Sequence, residues 1–127
     1  MTNVIFITID CLRPDFLGCL GNSRNLTPNI DKIAEEGITL TQVIANGPST
    51  PFSFPSIFTS TYAMMNPGFP KISPSAQSIT EILKKRGYIT GGFHSNPYLS
   101  KIYNYDKFFD YFYDSISNDN DAYKTQG

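Results

Sequence analysis

Val4-Ile5-Phe6-Ile7-Thr8-Ile9-Asp10 is the stretch on which the fold class turns. Its apolar, mostly β-branched residues run without the alternation of a half-exposed strand. A short run of that kind suits a strand covered on both faces, as in a parallel sheet. It ends on a carboxylate, and a carboxylate at the end of a covered strand is costly unless it is paired, hydrogen-bonded or bound to a metal. Asp10 is therefore a candidate metal ligand. Its other reading is a cap for the Gly-, Pro-, Arg- and Asn-rich loop over residues 11–25, or a partner for Arg13.

Working outward, Thr27-Pro28-Asn29-Ile30-Asp31 reads as a helix start, with Thr27 as cap, Pro28 at the first helical position and Asp31 in the first turn. Gly37 is its stop. Ile38 to Ile44 then alternates like a second strand, and residues 46–54 read as a loop with two prolines. Pro55 to Ser60 predicts a short helix. A further helix is expected from about Ser75 to Arg86, with Ile79, Ile82 and Leu83 inward and the Lys84-Lys85-Arg86 run at its C-terminal end, where cations complement the helix dipole. Tyr88 to Phe93 predicts a third strand in spite of two glycines, and Lys107 to Tyr113 is compact and aromatic.

Strand, helix, strand, helix, helix, strand is the order of a mostly parallel sheet flanked by helices, an α/β fold. Ligands of such sheets gather beyond the carboxyl ends of the strands. Asp10, the turn around Thr50 and His94 all follow strand-like runs and are expected at one shared edge. The polar residues 114–127 predict a mobile tail.

Composition narrows the function. A net charge of −1 over 127 residues, with no basic patch, argues against a nucleic-acid partner. No run approaches the roughly 20 apolar residues of a membrane span. The chain opens on a core-type strand and not on a signal peptide, so a cytoplasmic protein is expected. Cys11 and Cys19, the two cysteines, then read as reduced thiols.

Candidate chemistry sits at few positions. The turn from Gly47 to Ser56 carries Ser49, Thr50, Ser53 and Ser56, hydroxyls at a helix start that serve either as caps or as a nucleophile near free backbone N–H groups. His94, the one histidine, is either a satisfied structural residue or a donor to an anionic ester oxygen. Arg13 is the better placed of two anion clamps, Arg24 being the other; surface salt bridging is the alternative for both.

These pieces resemble the sulfatase family, within the alkaline phosphatase superfamily. The opening from Asn3 to Asp15, with Leu17-Gly18-Cys19-Leu20-Gly21 behind it, looks like the family's first strand and metal-ligand turn. Residues 27–37 resemble its first helix, Pro55 to Ser60 the helix after the nucleophile, and Tyr105 to Asp110 the later Gly-Phe-Asp element. The resemblance implies a three-layer α/β/α fold, incomplete here, with residues 1–113 as the N-terminal part of a catalytic domain. It implies Asp10 as a metal ligand and puts Thr50 at the nucleophile position, with its oxygen also on the metal. His94 would hold the substrate anion, beside the Arg13 clamp read from the residues, although the family's Lys-x-His element lacks its lysine here, Gly92-Phe93 standing before His94.

The nucleophile motif itself reads Thr50-Pro51-Phe52-Ser53-Phe54. Thr50 cannot become formylglycine by the usual conversion of Cys or Ser, proline is missing from the third place, and Phe54 stands where the family has arginine. The substrate implied is a small-molecule sulfate or phosphate ester, and the cofactor a divalent ion (Ca, or Zn, Mn or Mg). The family's second ligand cluster has no counterpart in this sequence, so that ion is expected to be weakly bound or absent in this chain alone. The chain is expected to be a piece of a longer hydrolase, inactive alone and self-associating through uncovered sheet surface. A non-catalytic assembly or binding module on the same fold is the alternative.

Overall fold

The computed structural model describes residues 2–65 and 67–116, together with the backbone of Tyr123–Lys124. Three α-helices are described, α1 Pro28–Glu36, α2 Thr50–Thr59 and α3 Ile79–Lys85, with strands β1 Gly91–His94, β2 Tyr111–Asp114 and β3 Tyr123–Lys124. The chain divides into two compact units, Met1–Val43 and Ile44–Gly127. No described helix is long and apolar enough to cross a membrane.

In the first unit, single 3-10 turns at Pro14–Phe16 and Gly18–Leu20 precede α1. Thr27 stands at the N-cap position as expected, but its side chain caps nothing within the helix. Its hydroxyl accepts the Gly18 N–H (3.0 Å) and donates to Asp31 Oδ1 (3.0 Å), which also accepts the Cys19 N–H (2.8 Å). Gly18 has no alternative there: an added Cβ would lie 2.2 Å from Asp31 Oδ2. Polar side chains thus tie the turns to the helix.

The two expected strands of this region do not form. Residues 4–9 and 38–44 enter no ladder among the described residues, and their apolar side chains are exposed, Ile5 to 83% and Ile38 to 91%. An apolar pattern records what a segment would gain by being covered; a strand also needs neighbours to take its backbone N–H and C=O groups, and pattern alone does not supply them.

The second unit holds the core. Phe54, Ile72, Tyr105, Phe108, Phe109 and Phe112 are buried together, with Phe58, Ala76, Leu99 and Tyr103 packed against them. Phe58 lies parallel to Phe108 (centroids 6.0 Å) and edge-on to Tyr105 and Phe109 (5.8 and 6.1 Å), the arrangements that aromatic quadrupoles favour. Burial pushes the Tyr105 phenol well above its usual range.

Helix α2 starts at Thr50, five residues before the expected Pro55, because Ser49 takes the N-cap conformation and Pro51 fills the early position that proline favours. Pro55 falls inside the helix, and the Thr59 hydroxyl donates to its carbonyl (2.6 Å). Gly47 lies so close to the first turn that a Cβ would meet Phe52 Cβ at 2.2 Å.

Helix α3 begins at Ile79 and not near Ser75. A capping box sets its start, the Ser78 hydroxyl accepting from the Glu81 N–H and Glu81 accepting from the Ser78 N–H. Ile79 and Ile82 are 54% and 41% exposed, contrary to the inward placement expected, while Leu83 is half-buried.

The third strand forms as β1, and its glycine has a cause. A Cβ on Gly92 would lie 2.7 Å from Phe109 Cδ2, so the ring packs where a side chain would otherwise stand. β1 pairs in parallel with β2, from Gly91↔Tyr111 to His94↔Asp114, and β2 pairs antiparallel with β3. The α/β class holds, with one parallel pair. Of the expected tail, Asp114 ends β2 and residues 123–124 form β3, while 117–122 and 125–127 lie outside the described residues.

Asp110 brackets the start of the parallel pair. Its Oδ2 accepts the Thr90 N–H (2.7 Å) and hydroxyl (2.9 Å), and its Oδ1 pairs with Lys84 Nζ at the end of α3 (3.1 Å). Desolvation alone pushes the Asp110 carboxyl up, but the Thr90 N–H, Lys84 and the Thr90 hydroxyl together hold it below the usual carboxylate range.

Two outcomes follow. Phe108 is fully buried, so Phe108→Ala is expected to cost about 3–5 kcal/mol in chemical denaturation. Asp110 has a folded pKa below its unfolded value, so its contribution is complete above about pH 4 and is lost as pH falls through the folded value. Asp110→Asn should lower the melting temperature at pH 7 and flatten its acid-side decline; an unchanged acid limb would show that the bracket carries no linkage.

Candidate functional site

Asp10 and Arg13 belong to the first unit, Thr50 and His94 to the second. Asp10 follows residues 2–9, which enter no helix or ladder among the described residues, and the chain turns after it, with Cys11 at a φ of 57°. The Cys11 thiol donates to Asp10 Oδ1 (3.8 Å). Arg13 forms a two-point pair with Asp15, Nε to Oδ1 at 3.0 Å and Nη2 to Oδ2 at 2.6 Å, both side chains being exposed. The Arg13 hydrogen bond holds the Asp15 carboxyl below its usual range. The Arg13 and Arg24 guanidinium carbons lie over the Phe16 ring, 5.2 and 5.1 Å from its centroid. Both arginines thus place a cation over an aromatic face. Desolvation and the hydrogen bond with Asp31 push the Cys19 thiol up.

Thr50 is the first residue of α2 and is half-buried. The turn before it offers less to an anion than a generic helix start. Pro51 has no N–H, and the Phe52 and Ser53 N–H groups donate to the Ser49 carbonyl at 3.0 and 2.9 Å. Ser53 turns its hydroxyl back onto the Gly47 carbonyl (2.9 Å), and Ser56 is buried. Of the hydroxyls in this turn, Ser53 is thus structural, while Thr50 opens the helix.

His94 ends β1 and its side chain is 7% exposed. Nδ1 lies 3.1 Å from the Asn96 carbonyl, and Nε2 lies 3.7 Å from Asp114 Oδ2. The ring packs on Phe112 with centroids 4.9 Å apart. The Ser115 N–H and hydroxyl both donate to the His94 carbonyl, at 3.1 and 3.0 Å, closing the ends of the two parallel strands together. Asp114 falls among the residues expected to form the tail. The signal available was a polar residue closing each of two aromatic-rich strand runs, Phe93-His94 and Tyr113-Asp114, but the register that sets them side by side is a tertiary property.

A divalent cation fits these residues only in part. Asp10 supplies a hard carboxylate, yet among the described residues no group of three or more His, Cys, Asp or Glu side chains could hold a metal ion. Any ion here takes at most two such side chains and completes its shell from other donors.

Comparison with known proteins supplies the family. The family profile described as Sulfatase matches residues 2–126. Human arylsulfatase D is 32% identical over 103 residues, covering 70% of this chain and 17% of the relative. Mouse steryl-sulfatase is 30% identical over 102 residues, covering 69% of this chain and 16% of the relative. Rat steryl-sulfatase is 30% identical over 103 residues, covering 70% of this chain and 18% of the relative. The chain therefore spans less than a fifth of the length of these relatives. No solved structure matches it at a significant level. With a profile match over nearly its whole length, this chain belongs to the sulfatase family.

Proposed function

We propose that this chain carries the nucleophile portion of a divalent-metal-dependent hydrolase of sulfate or phosphate esters, with Thr50 as nucleophile and Asp10 as one metal ligand. The observation that carries this reading is the family match over residues 2–126, read together with Thr50 at the first residue of a helix. The bound ion would lower the pKa of a coordinated hydroxyl and offset charge on the ester.

This chain's own contribution is a positioned hydroxyl. The Thr50 oxygen forms a bond to sulfur or phosphorus as the ester bond to the leaving group breaks. The hydroxyl proton leaves to a base and the alcohol departs, giving a covalent threonyl ester that water hydrolyses. Arg13 enters as an anion contact once released from Asp15. His94 has the same part only if its ring turns from Asn96 and Asp114. The three-layer sheet of the family, the remaining ligands and the turnover itself belong to a longer polypeptide in this reading, and the chain of 127 residues is expected to be inactive alone.

Sulfate is favoured by the family and by the names of the relatives. A threonine at the nucleophile position favours phosphate, since it is not a formylglycine precursor. The test is direct. In a protein that carries these residues at the length of the relatives, metal-dependent hydrolysis of an aryl sulfate and of an aryl phosphodiester is measured with and without Thr50→Ala. A loss of several orders of magnitude in kcat is expected. Unchanged turnover would remove Thr50 from the chemistry.

A second reading, an assembly module without catalysis, is favoured by the exposed Ile5, Ile38 and Ile44, at 83%, 91% and 90%. It predicts a stable oligomer of this chain in light scattering. A monomer would count against it.

A further inference from the structure

We propose that His94 and Asp114 form a two-residue site for a borderline divalent transition-metal ion, of the zinc or cobalt class, at the carboxyl end of the parallel strand pair. It does not depend on the ester-hydrolase reading, which gives His94 a part only if its ring turns from Asn96 and Asp114.

The argument begins with the tautomer. A backbone carbonyl only accepts, so the contact of Nδ1 with the Asn96 carbonyl at 3.1 Å puts a proton on Nδ1. A ring with its single proton on Nδ1 presents a lone pair at Nε2. That nitrogen is buried and has no hydrogen-bond partner among the described residues. What it faces is Asp114 Oδ2 at 3.7 Å, an acceptor facing an acceptor, on side chains only 7% and 11% exposed. An unsatisfied buried acceptor is costly, and the Oδ2 of a carboxylate opposite adds to that cost, while Asp114 Oδ1 accepts the Ile116 N–H (3.0 Å). A cation between the two removes both costs.

Geometry and chemistry select the ion. Zinc lies about 2.0–2.1 Å from imidazole nitrogen and about 2.0–2.2 Å from carboxylate oxygen, so it reaches both atoms across 3.7 Å with a bent nitrogen–metal–oxygen angle. Imidazole suits zinc and its neighbours, whereas magnesium and calcium take oxygen donors. A ligating histidine almost always donates its other ring N–H to a carbonyl, carboxylate or water, and Asn96 supplies that carbonyl. The register His94↔Asp114 brings the two ligands together, and the Ser115 bonds to the His94 carbonyl hold the strand ends in place. Two protein ligands leave the remaining positions of a four-coordinate ion to water or an anionic group, so the ion is exchangeable.

His94 is the one histidine of the chain, so its ring nitrogens give an unambiguous NMR signal. Zn²⁺ titrated into the 15N-labelled chain at pH 7 is expected to shift Nε2 strongly while Nδ1 keeps its proton. Asp114→Asn should weaken that response by about tenfold or more. Asp10→Asn should leave it unchanged, which separates this site from the proposed ester site. Exposed Cys11 and Cys19 can take zinc elsewhere without moving the His94 signal. No Nε2 shift with Zn²⁺, or an Nε2 that carries a proton before and after Zn²⁺ is added, would overturn the proposal. So would a response that Asp114→Asn leaves intact, and the wild-type titration decides the matter even if that variant fails to fold.

Discussion

The carboxylate of Asp110 holds the second unit in register. It takes the N–H and hydroxyl of Thr90 at the entry to β1, sits at the entry to β2 itself, and pairs with Lys84 at the end of α3. Parallel strands share no hairpin, so something other than a turn must set their alignment. This bracket does so at one end, and the Ser115 bonds to the His94 carbonyl do so at the other. Between them, Gly92 gives up its side chain so that Phe109 can lie on the strand, and Phe108 and Phe112 close the core beneath. The placement of His94 beside Asp114 is a consequence of this alignment, since each residue closes its own strand.

The first unit is held by different physics. None of its described residues is buried, so hydrophobic stabilisation, which scales with the apolar area removed from water, contributes little within it. Side-chain oxygens do the organising instead. Asp31 and Thr27 satisfy backbone N–H groups of the turn at Gly18–Cys19, and Arg13 pairs with Asp15 while flanking Phe16. The most apolar segments of the chain, residues 4–9 and 38–44, therefore remain exposed. In a member of the sulfatase family matched over less than a fifth of its relatives' length, segments patterned for a two-sided sheet lie next to the residues expected to do chemistry.

The chemistry available to Thr50 depends on its position more than on its identity. Threonine hydroxyls are weak nucleophiles without a base or a cation beside them. The turn before Thr50 spends its own N–H groups on Ser49 and lacks one at Pro51, so charge on an ester would have to be met chiefly by groups other than this helix start.

The sequence by itself determined the class of the protein and the local events. The start of α1 at Pro28, the cations at the end of α3 and the aromatic cluster near residues 108–112 follow from propensity and pattern, which act within a few residues, whereas the expected alternation of strands and helices does not form, three α-helices preceding the three strands among the described residues. The family was legible in Asn3–Asp15 and three later stretches for the same reason, because short motifs encode local geometry. The early start of α2 at Thr50 was not, since either of two prolines satisfied the same rule and Ser49 decided between them. Only the tertiary structure decided that residues 4–9 lack ladder partners among the described residues, that Ile79 and Ile82 face outward, and that Asp114 meets His94. Those outcomes depend on which backbone groups find partners far along the chain, and on a register set by the Asp110 carboxylate across 20 residues of sequence.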